Sequence, residues 1–95
     1  MKKEIFNTYL NRVLRIMNID KEMLLSRSKK RSATESRQIL FWLCEQRPIK
    51  TVYIKEYMEE LGYDASYSEI SYGIKSVEKK MTEDADYSII LNKII

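Results

Sequence analysis

Two glycines and one proline are spread through 95 residues, and that shortage constrains the fold more than any other feature of the chain. A sheet made from so short a sequence needs several chain reversals. Reversals draw on Gly, Pro, Asn and Asp, which reach the required backbone angles at little cost. Helix interiors need none of them. The chain is therefore expected to be all-α, and its length suits one domain, 1–95, built around one core. A hydrophobic fraction of 44% beside a charged fraction of 33% is that of a folded globular chain.

Apolar spacing divides the sequence into five to six helices. Phe6, Tyr9, Leu10, Val13, Leu14 and Met17 recur at helical intervals, which predicts an amphipathic helix over about 3–17. Asp20 is placed to cap a short helix carrying Met23, Leu24 and Leu25. The stretch 26–32 has no apolar face and reads as a solvated loop. Ser32 and Glu35 have the S-x-x-E spacing of a capping box, predicting a helix from there to about Gln46, stopped by Arg47 and Pro48. Its middle, Ile39 to Cys44, is apolar nearly all round, as in a helix at the centre of a bundle.

Thr51 is expected to cap the next helix, with Ile54, Met58 and Leu61 inward and Gly62 at the left-handed position that ends it. Ser66 and Glu69 repeat the capping-box spacing, and Ile70, Ile74, Val77 and Met81 then hold one helical face. Two short helices joined by a Gly-containing turn make a helix-turn-helix. Thr82 is expected to cap a last helix whose Ile90, Leu91, Ile94 and Ile95 close over the core.

Composition also removes whole classes of chemistry. With no histidine, no Ser-His-Asp or Cys-His pair can be assembled, and no glycine-rich phosphate loop is present. The lone Cys44 lies in an apolar run and is expected to be a reduced, buried thiol. The Asp and Glu residues are scattered over polar faces. No catalytic centre, metal site or cofactor is expected. No apolar run is long enough to span a bilayer and the start is not a signal peptide, so the expected location is the cytoplasm.

Two surfaces invite a partner. Opposite the Ile70, Ile74, Val77, Met81 stripe, the helix carries Ser68, Tyr72, Lys75 and Lys79. Its first turns would present Ser66, Tyr67, Ser68 and Ser71, as a recognition helix presents its N-terminal residues to base edges. The segment 27–37 concentrates Arg27, Lys29, Lys30, Arg31 and Arg37, although the net charge is only +3. Such local charge suits phosphates or the minor groove. Basic loops and polar helix faces also occur on proteins that bind no nucleic acid, and the same cations suit an acidic protein surface.

At these residues the chain resembles the C-terminal DNA-binding domain of the bacterial replication initiator DnaA, a helix-turn-helix fold related to the Trp repressor. The resemblance runs from near Ile5 to the C-terminus. It is clearest in Leu24-Leu25-Ser26-Arg27-Ser28-Lys29-Lys30-Arg31-Ser32 and Ser36-Arg37-Gln38-Ile39, which are similar to the family's basic loop and the opening of its central helix. Ile74-Lys75-Ser76-Val77-Glu78-Lys79 resembles the end of its recognition helix. The resemblance implies that Lys29 enters the minor groove, with Arg27 and Arg31 as phosphate contacts.

The family's Asp-His-Thr-Thr signature is replaced by Ser66, Tyr67, Ser68 and Glu69. The implied function is double-stranded DNA binding by a stand-alone module without the ATPase domain. Such a module would serve as a small transcriptional regulator or as an accessory replication factor of a phage or mobile element. The alternative is an adaptor for a protein of the replication or transcription machinery that kept the fold and lost DNA binding. The lost signature and the acidic Glu69 are its motivation. A dimer joined through Tyr53, Tyr57, Tyr63 or Tyr87 is a third reading, set against tyrosines that merely cover a core edge.

Overall fold

Six helices form in the computed structural model, which describes residues 2–94: α1 (Lys2–Met17), α2 (Lys21–Leu25), α3 (Arg31–Gln46), α4 (Thr51–Glu60), α5 (Tyr67–Glu83) and α6 (Ala85–Ile94). No strand occurs among the described residues. The apolar spacing accounts for the inward faces. In α1 these are Phe6, Tyr9, Leu10 and Val13, and in α5 they are Ile70, Ile74 and Val77, with Met81 partly buried against the same core.

The helix ends show where side-chain chemistry governs the chain path. Asp20 caps α2, its Oδ1 accepting from the Met23 amide at 2.8 Å. Asn18 and Gly62 end α1 and α4 in left-handed backbone, with φ of 54° and 89°, a region that asparagine tolerates and glycine enters without strain. Both ends close with the same paired bonds. Ile19 donates to the Leu14 carbonyl and Asn18 to Arg15, while Tyr63 donates to Met58 and Gly62 to Glu59. This pattern satisfies the last helical carbonyls.

Three expected caps are corrected. Ser32 does not cap α3: the helix begins at Arg31 behind Lys30, with no side-chain cap, and Glu35 pairs instead with Arg31, Nε to Oε1 at 2.6 Å. The start is set upstream, where the Ser28 hydroxyl accepts the Lys30 amide at 3.1 Å. Thr51 is the first residue of α4 and Lys50 its uncapped flank. Thr82 stays inside α5, donating to the Lys79 carbonyl at 2.7 Å, and Asp84 takes the amides of Asp86 and Tyr87. Only at Thr82 does the hydroxyl take a backbone partner inside its own helix and leave the cap to a neighbour, Asp84.

Helix α3 is the axis of the fold. Ile39, Leu40, Phe41, Trp42, Leu43 and Cys44 are all buried, because α1, α2, α4 and α5 pack around it. Six consecutive buried residues cover every side of a helix. Gly73, halfway along α5, lets the α3 and α5 backbones approach. A Cβ there would lie 3.1 Å from Gln38 Cγ and 3.4 Å from Gln38 Cα. Helix α6 closes one side against α1 and α5 with Leu91 and Ile94 buried, and Arg12 reaches the Ile94 carbonyl at 3.1 Å. Ile90, expected inward, is exposed together with Ile89, since a helix bearing on Leu91 and Ile94 turns position 90 aside by about 100°. The inward role expected of Ile95 lies outside the described residues.

Candidate nucleic-acid interface

The connection between α4 and α5 is short and firmly held. After Gly62, Tyr63 and Ala65 turn into the core, and Lys55 holds the connection from outside, bonding the Ala65 carbonyl at 2.9 Å and Asp64 at 3.3 Å. Ser66 then caps α5, its Oγ accepting the Glu69 amide at 3.0 Å. With the inward face fixed by Ile70, Gly73, Ile74 and Val77, the face expected to read DNA is left open. Ser66, Tyr67, Ser68, Ser71, Tyr72, Lys75 and Lys79 are all exposed, Tyr72 by 69% and Tyr67 by 50%.

The basic segment divides into groups with different roles. Arg27, Lys29, Lys30 and Arg31 are exposed. Arg37 is not, and its expected role as a DNA contact is corrected. At 6% exposure its guanidinium donates to the carbonyls of Leu24 at 2.7 Å, Ser26 at 2.9 Å and Ser28 at 3.1 Å, and stacks over the Tyr63 ring. A planar fork with five donors is well suited to satisfy three such spread carbonyls at once. Arg37 thus shapes the loop and has no donor face turned to solvent.

Arg27 is tied to the turn before α5: it bonds the Asp64 carbonyl at 2.6 Å, lies 3.8 Å from Glu69 and covers Tyr63. Glu69 was expected to fold back to the Ser66 amide. Its carboxylate instead accepts from the Tyr63 hydroxyl and faces Arg27, so only half of the capping box forms. A phenol and a guanidinium together offer it more than one backbone amide. Burial, and then the bond to Glu69, hold the Tyr63 hydroxyl above the ordinary phenol range.

The two surfaces meet. Lys29 and Arg31 from the basic segment line one groove with Thr34, Glu35 and Gln38 of α3 and Tyr72, Ser76 and Lys80 of α5. An adjoining groove continues along α5 past Lys75 and Lys79 to Glu83, and a third holds Tyr72 beside Glu69. Tyr72 stands where all three join. Gln38, Ser76 and Lys80 were not singled out from the sequence. Tyr72, Ser76 and Lys80 form an i, i+4, i+8 row, and that spacing is the signal that marks them. Among the described residues, the side-chain amines of Lys29, Lys30, Lys75 and Lys79 have no hydrogen-bond or ion-pair partner. Arg31 has only the exposed pair with Glu35, of a kind worth little in water.

No protein-family model, curated protein or solved structure matches the chain. Its own side chains are what point to a partner.

Among the described residues there is no cluster of potential metal ligands and no helix long and apolar enough to cross a membrane. The Cys44 thiol is buried and pushed up to about 12 by desolvation, so it stays protonated and unreactive at neutral pH. Of the four tyrosines considered for a dimer contact, Tyr63 is buried and Tyr53, Tyr57 and Tyr87 are partly buried against the core.

Proposed function

We propose that this chain binds double-stranded DNA, with α5 in the major groove and the basic segment on the backbone or in the minor groove beside it. The observation that carries the proposal is the shared groove. Lys29 and Arg31 on one side and Tyr72, Ser76 and Lys80 on the other gather cations and hydroxyls in one groove, whose single carboxylate, Glu35, is paired with Arg31. The four unpartnered lysines supply attraction to phosphate without first breaking an internal bond. The likeness of 24–32 and 36–39 to the DnaA basic loop and central helix supports the same class of function. That function is regulation of transcription or assistance to replication on DNA in the cytoplasm. The adaptor alternative drew on the lost signature and on Glu69; the Glu69 carboxylate is engaged by Tyr63 and Arg27, which weakens the second of these grounds and favours DNA.

The test is a titration of mixed-sequence duplex at several salt concentrations. Four phosphates neutralised by Lys29, Lys30, Lys75 and Lys79 give a slope of log affinity against log salt of roughly −3 to −4. Replacing Lys29 and Arg31 by alanine weakens binding to every duplex alike and flattens the slope by about 1 to 2. No binding at low salt, or a slope near zero, rejects the proposal.

A further inference from the structure

The chemistry of the exposed α5 face narrows the kind of DNA recognition it can perform. Strong base discrimination in the major groove comes from side chains that make two hydrogen bonds to one base edge, Arg or, less rigidly, Lys on guanine and Asn or Gln on adenine. Helix α5 contains no Arg, Asn, Gln or Asp. Its first exposed turns offer Ser66, Tyr67, Ser68, Ser71 and Tyr72. A hydroxyl both donates and accepts, so it fits any base pair about equally.

The remaining candidates are weaker still. Lys75 is a point charge two turns along the helix, without the planar fork of arginine. Glu69 is engaged by Tyr63 and Arg27. Gln38, the one carboxamide in the groove, comes from α3 and is half-buried, its stem packed against Gly73 on the inward side of α5.

One feature of the face is not neutral toward sequence. Among the described residues Tyr72 is the most exposed large apolar side chain, at 69%, and stands where the grooves join. The major-groove edge of DNA carries one apolar group, the C5 methyl of thymine. A phenol ring that excludes water from that methyl strengthens binding about three- to fourfold per contact.

Resting on the DNA reading above, we infer that the partner is duplex DNA of broad sequence, held chiefly through its phosphates. The preference is shallow and leans to thymine, and Tyr72 sets it. This differs from a reader of one fixed operator, in which single base-pair changes commonly cost about five- to a hundredfold.

Two measurements decide it. In the first, duplexes of identical sequence carry either thymine or deoxyuridine, which lacks the methyl. The intact protein binds the thymine duplex at least about threefold more tightly, and Tyr72→Ser brings the ratio to one while the salt slope stays unchanged. In the second, selection from a random duplex pool yields no position where one base-pair change alters affinity more than about tenfold. Equal affinity of the intact protein for the two duplexes overturns the inference, as does any position exceeding tenfold, and both leave DNA binding itself standing. Failure to bind any duplex at low salt removes the DNA reading and the inference together.

Discussion

Replacing Arg37 by alanine separates a residue that shapes the interface from one that touches DNA. The guanidinium holds three carbonyls of the basic segment, at 2.7, 2.9 and 3.1 Å. Bonds to charged groups are worth about 1.5–3 kcal/mol each in mutational series, but they are not additive here. The Ser26 and Ser28 bonds are only part-buried, so water can replace the donor at those carbonyls, whereas the Leu24 bond is buried. Leaving that carbonyl unpaired costs about 1–3 kcal/mol. With the weaker bonding at the other two and the lost packing on Tyr63, the total is about 3 kcal/mol. For a domain of this size that lowers Tm by roughly 12–24 °C.

Arg37→Lys, which keeps the charge and reaches fewer carbonyls, falls between. Thermal unfolding by circular dichroism gives the stability change. DNA titrations below the transition should show the salt slope of the intact protein, because no phosphate contact is lost. A variant with unaltered Tm and a slope reduced by about 1 would show that Arg37 meets phosphate after all, and the structural role argued here would be wrong.

Two further outcomes follow from particular contacts. The Tyr87 hydroxyl is buried without a hydrogen-bond partner and pushed up to about 12, first by desolvation and then by Glu35. Tyr87→Phe should therefore raise stability by about 1 kcal/mol at neutral pH in urea titrations. Because the folded phenol ionises later than the unfolded one, whose value is near 10, its contribution is complete below pH 10 and declines toward about 12. The Phe variant should lose less stability across that window, and an unchanged alkaline limb would count against the burial argument. At Gly73, alanine sets a helix-propensity gain of about 1 kcal/mol against a squeeze on Gln38, for a net change under about 1 kcal/mol, whereas valine should cost about 2–3 kcal/mol. Equal stability of the two variants in denaturant titration would contradict the close α3 to α5 approach.

The helices and their inward faces are local properties, and the sequence carries them openly. The Phe6 to Val13 stripe, the all-round apolar run from Ile39 to Cys44 and the Ile70, Ile74, Val77 row each predict burial from spacing, and each residue in them is buried. Gly62 and Asp20 are legible for the same reason, since one backbone angle or one oxygen decides each. The starts near Ser32 and Thr82 are not legible in the same way, because short polar residues compete within a few positions and small differences in chain path choose among them, while α4 begins at Thr51 with no side-chain cap.

The candidate site is legible by composition and illegible by role. Six residues of α5, its cap Ser66 and four residues of the basic segment lie exposed as their polarity suggested, but nothing in the order of residues tells a cation facing solvent from one turned inward. Arg37 looks like its neighbours in one dimension and becomes the clasp of the loop in three. Glu69, spaced as a capping residue, is drawn to Tyr63 and Arg27. Helix identity and the buried stripe depend on neighbours within four positions, so the chain spells them out. The partner of each charge depends on which segments packing brings together, tens of residues apart, and that was settled when α3 and α5 closed on each other at Gly73 and set the basic loop beside the open face of α5.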